Sequence, residues 1–407
     1  MEQPAFKVYG YRWVVLLLFI MVNIFMQIQW IHFASIVTEA KEFYNVPAMK
    51  IDFLALIFLL VYIFVSIPAS YIIDNWGMRI GVSIGVVLLG VFGLMKGIYG
   101  TEYKMLLIAQ TGLAVGQPFI NNAITKVGVR WFPLQERATA AGLCMLSQIM
   151  GMLLALGVTP FLLKAYGMQN MLMTYGVLTA VGSVIFLIFT KECPPTPPCP
   201  AGHDERIKVF AGLKHIFKQR DMIILLIGFF FGLGVFNAIT TWIEQIMTPR
   251  GFSSAQAGIA GSLLMFAGII GAVLMGVLSD KLRKRRIFII IAFLGAIPGL
   301  IGMIYAPTYP LLLLSCAVFG FFIIGGSPVD FQYGAEVSYP APEATSQGLL
   351  LLAGQISGVI FIIVPDIIMH GATDKTPALL LFIGFLFLTL ILNLMLREST
   401  HIQTGDI

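Results

Sequence analysis

Polar side chains interrupt an otherwise apolar segment near the start of the chain. Gln27–His32 reads Gln-Ile-Gln-Trp-Ile-His, within a segment, 11–37, that carries no charge after Arg12. Amides can bind a polar ligand, and an indole can offer its face to a cation. About 20 apolar residues cross a bilayer, and polar groups at that depth usually face a cavity or a partner helix. The stretch therefore predicts a binding site inside a membrane.

Other apolar segments carry isolated polar side chains at similar depth. The positions that could contact a ligand are Gln29, Trp30, Tyr62, Gln117, Gln148, Asn237 and Gln355. Each of them alone could equally form a hydrogen bond between helices. Several amides together with an indole exceed what packing alone requires, and this convergence favours a site for a small polar solute.

The charge pattern favours a cationic solute over an anionic one. No Lys or Arg is expected at the middle of any apolar segment, because Lys96 and Lys126 lie near segment ends. An anion buried without a cationic partner is costly, so an anionic solute is disfavoured. The aromatic faces of Trp30, Tyr62 and Trp242 could instead each bind an ammonium group with roughly 0.5–2 kcal/mol once desolvated.

Four titratable residues could carry a proton or form a gate: His32, Glu244, Asp330 and Glu336. His32 has an ordinary pKa near physiological pH, and a helix-packing histidine is an equally good interpretation. Glu244 could face an ammonium group or belong to an outer gate. Asp330 and Glu336 come late in their segment and are interpreted as gate elements. Proton-coupled and uncoupled movement of the solute both fit this set.

The composition excludes a soluble globular protein. Of 407 residues, 58% are hydrophobic and 11% are charged, and the mean hydropathy is +0.91. Apolar runs predict twelve membrane spans at 12–37, 53–73, 79–98, 104–131, 137–163, 171–190, 222–247, 255–279, 287–306, 309–334, 344–369 and 377–396. We expect an all-α, multi-pass protein of the cell membrane, either a plasma membrane or a bacterial inner membrane.

The predicted partners are the lipid bilayer and a small-molecule substrate. No cofactor, metal or nucleic acid is expected, since the four cysteines follow no spacing typical of a metal site. No enzyme signature is present, so an enzyme is not expected either. We expect the chain to function as a monomer.

A stretch rich first in proline and then in charge separates two sets of six spans. We predict an N-terminal six-helix bundle over 1–190, a cytoplasmic linker with an amphipathic helix over 191–221, and a C-terminal six-helix bundle with a short tail over 222–407. The apolar face of the linker helix would carry Ile207, Phe210, Leu213 and Phe217. With both termini cytoplasmic, the inner loops hold 18 of the 25 Lys and Arg residues, as the positive-inside rule requires.

The two halves of the chain repeat one another at their short inner turns. The repeated residues are Asp74 and Arg79 after the second span, and Asp280 and Arg283 after the eighth. The two aspartates are 206 residues apart. A duplicated six-span unit is how many transporters build a site between two bundles. We expect these turns to clamp the bundles at the cytoplasmic face, because a carboxylate can accept helix N-terminal amides and pair with Arg.

These turns resemble the loop signature of the major facilitator superfamily, and so does Arg130-Trp131-Phe132-x-x-x-Glu136-Arg137. The resemblance covers the whole chain. It implies the major facilitator fold, with twelve transmembrane helices in two pseudo-symmetric six-helix bundles and a solute moved by alternating access. Within the superfamily, YRWVVLL over 11–17, QWIxF over 29–33 and EVSYPxxExTSxGLL over 336–350 look like the feline leukaemia virus subgroup C receptor family. That family carries choline and ethanolamine, with haem also proposed.

The resemblance implies roles for individual residues. In the choline-carrying relatives a tryptophan and a tyrosine cage the ammonium group while glutamines close the pocket, and Trp30, Gln117 and Gln355 fall at the matching positions. Asn237 occupies the tyrosine position, which removes one wall of the cage. We predict a secondary transporter of a small organic solute, with a cationic amine of choline or ethanolamine type favoured. A proton-coupled carrier of a neutral or weakly acidic metabolite and a carrier of haem-related cargo are the alternatives.

Overall fold

Every regular element in the described part of the chain is helical. The computed structural model describes residues 7–133, 136–196, 215–339, 341, 343–369 and 374–398. The chain divides into two compact units, Met1–Asp204 and Glu205–Ile407, which are taken in turn. Long apolar sequences with their polar groups bonded inside a helix are the form in which a chain can cross lipid.

The described residues of the first unit form seven α-helices. They are α1 (Tyr11–Ile31), α2 (Val37–Tyr44), α3 (Ala48–Trp76), α4 (Met78–Tyr99), α5 (Tyr103–Asn121), α6 (Ile124–Trp131) and α7 (Arg137–Phe189). A 3₁₀ turn, His32–Ser35, joins α1 to α2. Helix α1 packs against α5 and α7, α4 packs against α5 and α7, and α3 packs against α5.

Two glycine positions explain how these helices bend and approach. Gly167 has φ 78° and ψ 170°, which interrupts α7 and divides it into two spans; a left-handed φ of this kind favours glycine. Gly85 on α4 faces Gly116 on α5 so closely that a Cβ atom on Gly85 would lie 2.7 Å from the Gly116 oxygen. Small residues at such a crossing let the two backbones come together.

The described residues of the second unit also form seven α-helices. They are α8 (Arg220–Thr241), α9 (Ile243–Met247), α10 (Ser254–Leu282), α11 (Arg286–Tyr305), α12 (Tyr309–Val337), α13 (Glu343–Ile368) and α14 (Thr376–Asn393). Helix α12 packs against α10 and α11, α13 packs against α8, and α14 packs against α8 and α11. Helix α10 begins with a capping box, in which Ser253 and Gln256 bond each other's main-chain amides.

Ten of the described helices are long and apolar enough to cross a membrane. One of them is α7, which supplies two spans because it is interrupted at Gly167. Helix α5, continued by α6, corresponds to the predicted span 104–131. The described helices therefore match the twelve predicted spans. The predicted linker helix falls largely on 207–214, outside the described residues, and Phe217 is exposed.

Candidate functional site

Trp30 lies in the last turn of α1, one residue before the helix ends. Its indole Nε1 donates a hydrogen bond to the main-chain oxygen of Ala55 on α3, at 3.0 Å. The side chain is buried, with 7% of its surface exposed. The hydrogen bond fixes one edge of the indole against α3, so the π face has a constant direction. A cation site needs an aromatic face held in this way.

The structure adds a buried cation next to this helix end. Lys96 on α4 is 1% exposed, and its Nζ lies 5.2 Å from the centre of the Phe33 ring. Nζ donates hydrogen bonds to the main-chain oxygen of Gln29 at 3.2 Å and to Oε1 of Gln110 at 2.7 Å. No carboxylate of the described residues forms an ion pair with Lys96. Lys96 lies near the end of its span, as expected, and neighbouring helices bury it there.

Gln110 on α5 joins three helices around the end of α1. It is fully buried, and its Nε2 donates to the main-chain oxygens of Gln29 at 3.2 Å and Leu54 at 3.0 Å. The last four carbonyl groups of a helix have no partner within that helix. Gln110 and Lys96 therefore satisfy a main-chain acceptor, the Gln29 oxygen, that the ending of α1 leaves free.

His32 follows directly in the 3₁₀ turn and is fully buried. Its Nδ1 lies 2.8 Å from the Ile28 oxygen. Because a carbonyl oxygen only accepts, Nδ1 carries a proton and a neutral ring presents Nε2 as an acceptor. Nε2 has no hydrogen-bond partner among the described residues. Nδ1 of His32 thus contacts the preceding helix turn, and Nε2 is available to a proton or a ligand.

Three of the predicted ligand-binding side chains use their polar atoms to join helices of the first unit. The bonds are Gln29 Nε2 to Thr179 Oγ1 (3.0 Å), Tyr62 Oη to Asn122 Oδ1 (2.7 Å) and Gln148 Nε2 to Asn121 Oδ1 (3.2 Å). Bonds of this kind stabilise helix packing in membranes. A ligand would have to compete with these contacts.

Gln117 differs from that group. It lies on α5, seven residues beyond Gln110, and is 5% exposed. Its amide forms no hydrogen bond with any residue that the structure describes. Buried amides are normally hydrogen-bonded. The amide atoms of Gln117 are not among the fully buried unpartnered atoms, so they keep some exposure and are available to a ligand.

In the second unit, Asn237 and Gln355 lie on one helix pair. Asn237 on α8 is 3% exposed, and its Nδ2 donates to the main-chain oxygen of Gly354 on α13 at 3.4 Å. Gln355 follows Gly354 directly and is half-buried. Its Oε1 has no hydrogen-bond partner within the described ranges. The structure therefore brings two predicted site residues to the α8–α13 contact, and one of them has an unused acceptor.

Glu244 lies just beyond the end of α8, in the short helix α9. It is fully buried, and its Oε1 accepts a hydrogen bond from the Thr248 hydroxyl at 2.8 Å. The main chain leaves helical geometry at Trp242, with φ −96° and ψ 13°. Glu244 therefore lies directly after a break in its span, which is where a gate residue is expected.

The predicted inner gate residues of α12 have different surroundings. Glu336 accepts from Arg285 Nε at 3.2 Å and from Gln332 Nε2 at 3.0 Å. Asp330 is 8% exposed, and its Oδ1 has no hydrogen-bond partner in the described part of the chain. Glu336 is thus held in a buried ion pair, and Asp330 is a buried carboxyl group with an unused oxygen.

The repeated turns pair differently from the sequence expectation. Asp280 forms its ion pair with Arg285 rather than with Arg283. Arg283 is exposed and ends α10 with φ 51°. The side chain of Arg285 is 9% exposed and bonds Asp280, Glu336 and Ser279 together. Arg285 is therefore the central cation of this turn, one the sequence did not single out.

The first of the two turns shows a similar exchange of partners. Asp74 pairs with Lys126 on α6, and the side chain of Arg79 is exposed. Glu192 accepts the main-chain amides of Met78 and Arg79 at 3.0 and 2.5 Å. The carboxylate at the N-terminus of α4 is thus Glu192, in the favourable position for a helix start.

Two stretches that carried the family resemblance contact each other. Arg12 pairs with Glu136 at 3.1 Å, and its guanidinium lies 5.8 Å from the centre of the Phe132 ring. Trp13 packs edge-on against the same ring, at 5.4 Å between centroids. The start of α1 and the turn before α7 therefore form one charged and aromatic contact.

No simple sequence signal identifies the Lys96 contact. Lys96 lies three residues before the end of α4, and Gln110 lies seven residues after the start of α5, so the two residues are not equally far from the turn. Glu192 and Arg285 are not identified by a sequence signal either. Among the described residues, no group of three His, Cys, Asp or Glu side chains is placed to hold a metal ion.

The sequence and the fold can both be compared with those of known proteins. A sequence model of the Major Facilitator Superfamily matches residues 13–362. The chain therefore belongs to the Major Facilitator Superfamily, a class of multi-pass secondary membrane transporters. The helical fold matches that assignment.

Its relatives include proteins that are named as solute carriers or transporters. Solute carrier family 49 member A3 of Xenopus tropicalis is 29% identical, covering 89% of this chain and 79% of that protein. Choline/ethanolamine transporter FLVCR2 of Homo sapiens is 25% identical, covering 96% of this chain and 77% of that protein. These matches confirm the resemblance drawn from the sequence motifs.

Solved structures agree on the fold. The D-xylose-proton symporter has a TM-score of 0.77 at 15% identity and covers 96% of this chain and 99% of its own. A bacterial homologue of the human lysosomal transporter Spinster has a TM-score of 0.72 at 16% identity, covering 98% of both chains. The predicted all-α major facilitator fold is confirmed.

Proposed function

We propose that this transporter moves a cationic amine of choline or ethanolamine type by alternating access. The observation that carries the proposal is the buried indole of Trp30, fixed by its edge to Ala55. The relative FLVCR2 is named a choline/ethanolamine transporter, and Trp30 lies in the stretch 29–33, which resembles a motif of the feline leukaemia virus subgroup C receptor family. An ammonium group on a desolvated aromatic face gains roughly 0.5–2 kcal/mol.

Two amides support the same ligand class. Gln117 has no partner in the described chain, and Gln355 has an unused Oε1. A carbonyl oxygen can accept from an ammonium N–H or from the hydroxyl of choline or ethanolamine. We propose Trp30, Gln117, Asn237 and Gln355 as the substrate-binding residues. Tyr62 and Gln148 would orient the helices that carry them, because their side chains bond neighbouring helices. Gln29 bonds Thr179 through Nε2 and keeps an unused Oε1, so it remains a candidate ligand contact.

A second candidate function is favoured by the buried cation. Lys96 bonds the main-chain oxygen of Gln29, next to Trp30, and a charged Lys96 would repel a substrate ammonium at that place. His32 presents an unpartnered Nε2 in the next turn. Two buried titratable groups beside the site favour a proton-coupled carrier of a neutral or weakly acidic metabolite.

One screen separates the two functions. The purified protein is titrated with choline, ethanolamine, betaine, amino acids and haem while its melting temperature is followed. Stabilisation by the amines supports the first function, and its absence for every amine rejects it. Uptake in vesicles is then measured against pH and with a protonophore. Uptake that is indifferent to both rejects the proton-coupled carrier.

The placement of the protein in the membrane is also a proposal. We propose a plasma or bacterial inner membrane, both termini in the cytoplasm and a functional monomer. The boundaries 1–190, 191–221 and 222–407 would separate bundle, linker and bundle. The Asp74 and Asp280 turns would clamp the bundles at the cytoplasmic face. Labelling of single cysteines placed near each terminus, in intact cells and after permeabilisation, tests the orientation.

A further inference from the structure

A buried ion pair lies at the end of the second unit where α13 stops and α14 begins. Lys375 Nζ lies 2.5 Å from Asp366 Oδ1, with side chains 3% and 5% exposed. Lys375 directly precedes α14, and Asp366 lies in the last turn of α13. Removing two charges from water is costly, and an apolar pair of similar size is often as stable or more stable. The pair therefore calls for an explanation other than stability.

The same ammonium group also lies on an aromatic face. Lys375 Nζ is 4.9 Å from the centre of the Trp242 ring, and Trp242 is fully buried. Trp242 also stacks on Phe382, with 6.2 Å between the ring centroids and 11° between the ring planes. Phe382 in turn stacks on Phe361, with 5.4 Å between centroids and 23° between planes. The stack holds the indole rigidly. One carboxylate and one desolvated indole face are the two groups with which proteins bind an organic ammonium.

We propose that Trp242 and Asp366 form an outer ammonium-binding site that Lys375 fills when no ligand is bound. Lys375 acts as a tethered cation, and an organic ammonium entering this end of the unit takes its place. The choice of an organic ammonium rests on the proposed function. The tethered lysine keeps Asp366 paired in the empty protein, and the entering ligand keeps it paired in the loaded one.

The indole offers a further contact that the lysine does not use. Nε1 of Trp242 has no hydrogen-bond acceptor among the described residues. A buried donor without an acceptor is unfavourable. A ligand that joins an ammonium group to a hydroxyl oxygen can satisfy both the indole face and Nε1. The site therefore fits a hydroxyalkyl ammonium better than a bare tetraalkylammonium.

An exposed carboxylate lies next to Lys375. A cavity of about 30 Å³ with Gln245, Arg250 and Leu379 in its wall also borders Lys375; it has room for about one water molecule, so an organic ammonium needs the volume that the Lys375 side chain vacates. Asp374 beside it is exposed, and hydrogen bonds from the hydroxyl and the amide of Thr376 lower the pKa of its carboxyl group. Asp374 therefore stays ionised and attracts cations to this end of the unit.

The position of the site along α8 suggests its place in the path. Trp242 lies five residues beyond Asn237, which is about 7.5 Å along a helix. It also lies at the break between α8 and α9. With the predicted topology, a solute arriving from outside would meet Trp242 before it meets Asn237. The outer site would therefore concentrate the ligand ahead of the main site.

Lys375→Met tests the proposal because methionine keeps the length of the side chain and removes the charge. The melting temperature and the tryptophan fluorescence of the purified full chain are followed during titration with choline and with tetramethylammonium. We expect the variant to respond at concentrations at least tenfold lower than the unsubstituted protein, with choline more effective than tetramethylammonium. Asp366→Asn or Trp242→Leu, added to Lys375→Met, removes this low-concentration response and leaves only the response of the main site. Equal responses of Lys375→Met and the unsubstituted protein would overturn the proposal.

A measurement on the unsubstituted protein covers the case in which Lys375→Met does not fold. Acetylation of Lys375 by an amine-reactive reagent, followed by mass spectrometry, is expected to rise several-fold with saturating choline. Lys50 is exposed and serves as the lysine whose labelling stays constant. Unchanged labelling of Lys375 contradicts the displacement. Repeating the fluorescence titration with Trp30→Ala added separates the two sites, because the outer response persists when the proposed main site has been removed.

Discussion

The ammonium group of Lys96 donates a 2.7 Å hydrogen bond to the side-chain oxygen of Gln110, and both residues are buried. Together they bind the main-chain oxygen of Gln29, one residue before Trp30. The two residues hold the end of α1 between α4 and α5. The direction of the Trp30 side chain therefore depends on a polar contact formed by two other helices.

Gln110→Leu should destabilise the protein more than Lys96→Met. The leucine leaves the buried ammonium of Lys96 with one fewer acceptor, and an unsatisfied buried group costs about 1–3 kcal/mol or more when it is charged. Methionine at position 96 removes the buried charge itself and keeps much of the side-chain volume. Melting temperatures of the purified variants give the order. Equal losses would mean that the ammonium group does not depend on Gln110.

Trp30→Ala should abolish choline uptake through the main site, whereas Trp13→Ala should leave it intact. Trp30 supplies the buried aromatic face of the proposed main site. Trp13 is 41% exposed and packs on Phe132, so it serves as a matched tryptophan control. Choline uptake in vesicles is measured for both variants. A folded Trp30→Ala protein with unchanged choline uptake would remove Trp30 from the main site.

Asn237→Tyr should raise the affinity for choline. The resemblance places a tyrosine wall at this position, and one added cation–π contact of about 0.5–2 kcal/mol corresponds to a roughly 2- to 30-fold lower Kd. Asn237→Leu is the control, since it adds no aromatic face and also loses the bond to Gly354. Isothermal titration with choline and ethanolamine compares the variants. No gain over Asn237→Leu would show that this position does not face the ammonium group.

Arg285→Met should lower stability far more than Arg283→Ala. Glu336 is almost fully buried in its ion pair with Arg285, and removing one partner of a buried pair costs about 3–5 kcal/mol. Arg283 is exposed, and surface substitutions usually change stability by about 0.5 kcal/mol or less. Thermal melting of the two variants measures the contrast. Adding Glu336→Leu to Arg285→Met should recover part of the loss, because the unpaired carboxylate is then gone.

Sequence periodicity predicts the spans well because each must be apolar over a fixed length. It does not predict where a span is interrupted. The predicted span 104–131 ends as a helix at Asn121, and the side chain of Asn122 bonds Ser66 and Ser70 of α3. The predicted span 222–247 is interrupted at Trp242. These interruptions depend on bonds to neighbouring helices, which the sequence of one span does not contain.

The sequence indicates candidate residue types but not which side chains pair. Gln117 and Gln355 are polar residues in apolar spans, and Gln355 has an unused Oε1 in the structure. An arginine partner is expected for both Asp74 and Asp280; Asp280 pairs with Arg285, whereas Asp74 pairs with Lys126. Spacing along one helix does not determine which side chain of the next helix comes within reach.

The spans that carry Trp30 and Asn237 both end in irregular backbone. Helix α1 stops at Ile31 and passes through a 3₁₀ turn to Ile36, at φ −140° and ψ 33°. Helix α8 stops at Thr241. Short segments beyond an interrupted helix open at lower free energy than a continuous helix does. In amide hydrogen exchange, 32–36 and 242–247 should therefore exchange faster than the preceding turns. A ligand that binds at those turns would slow the exchange, so occupancy could be followed without any label.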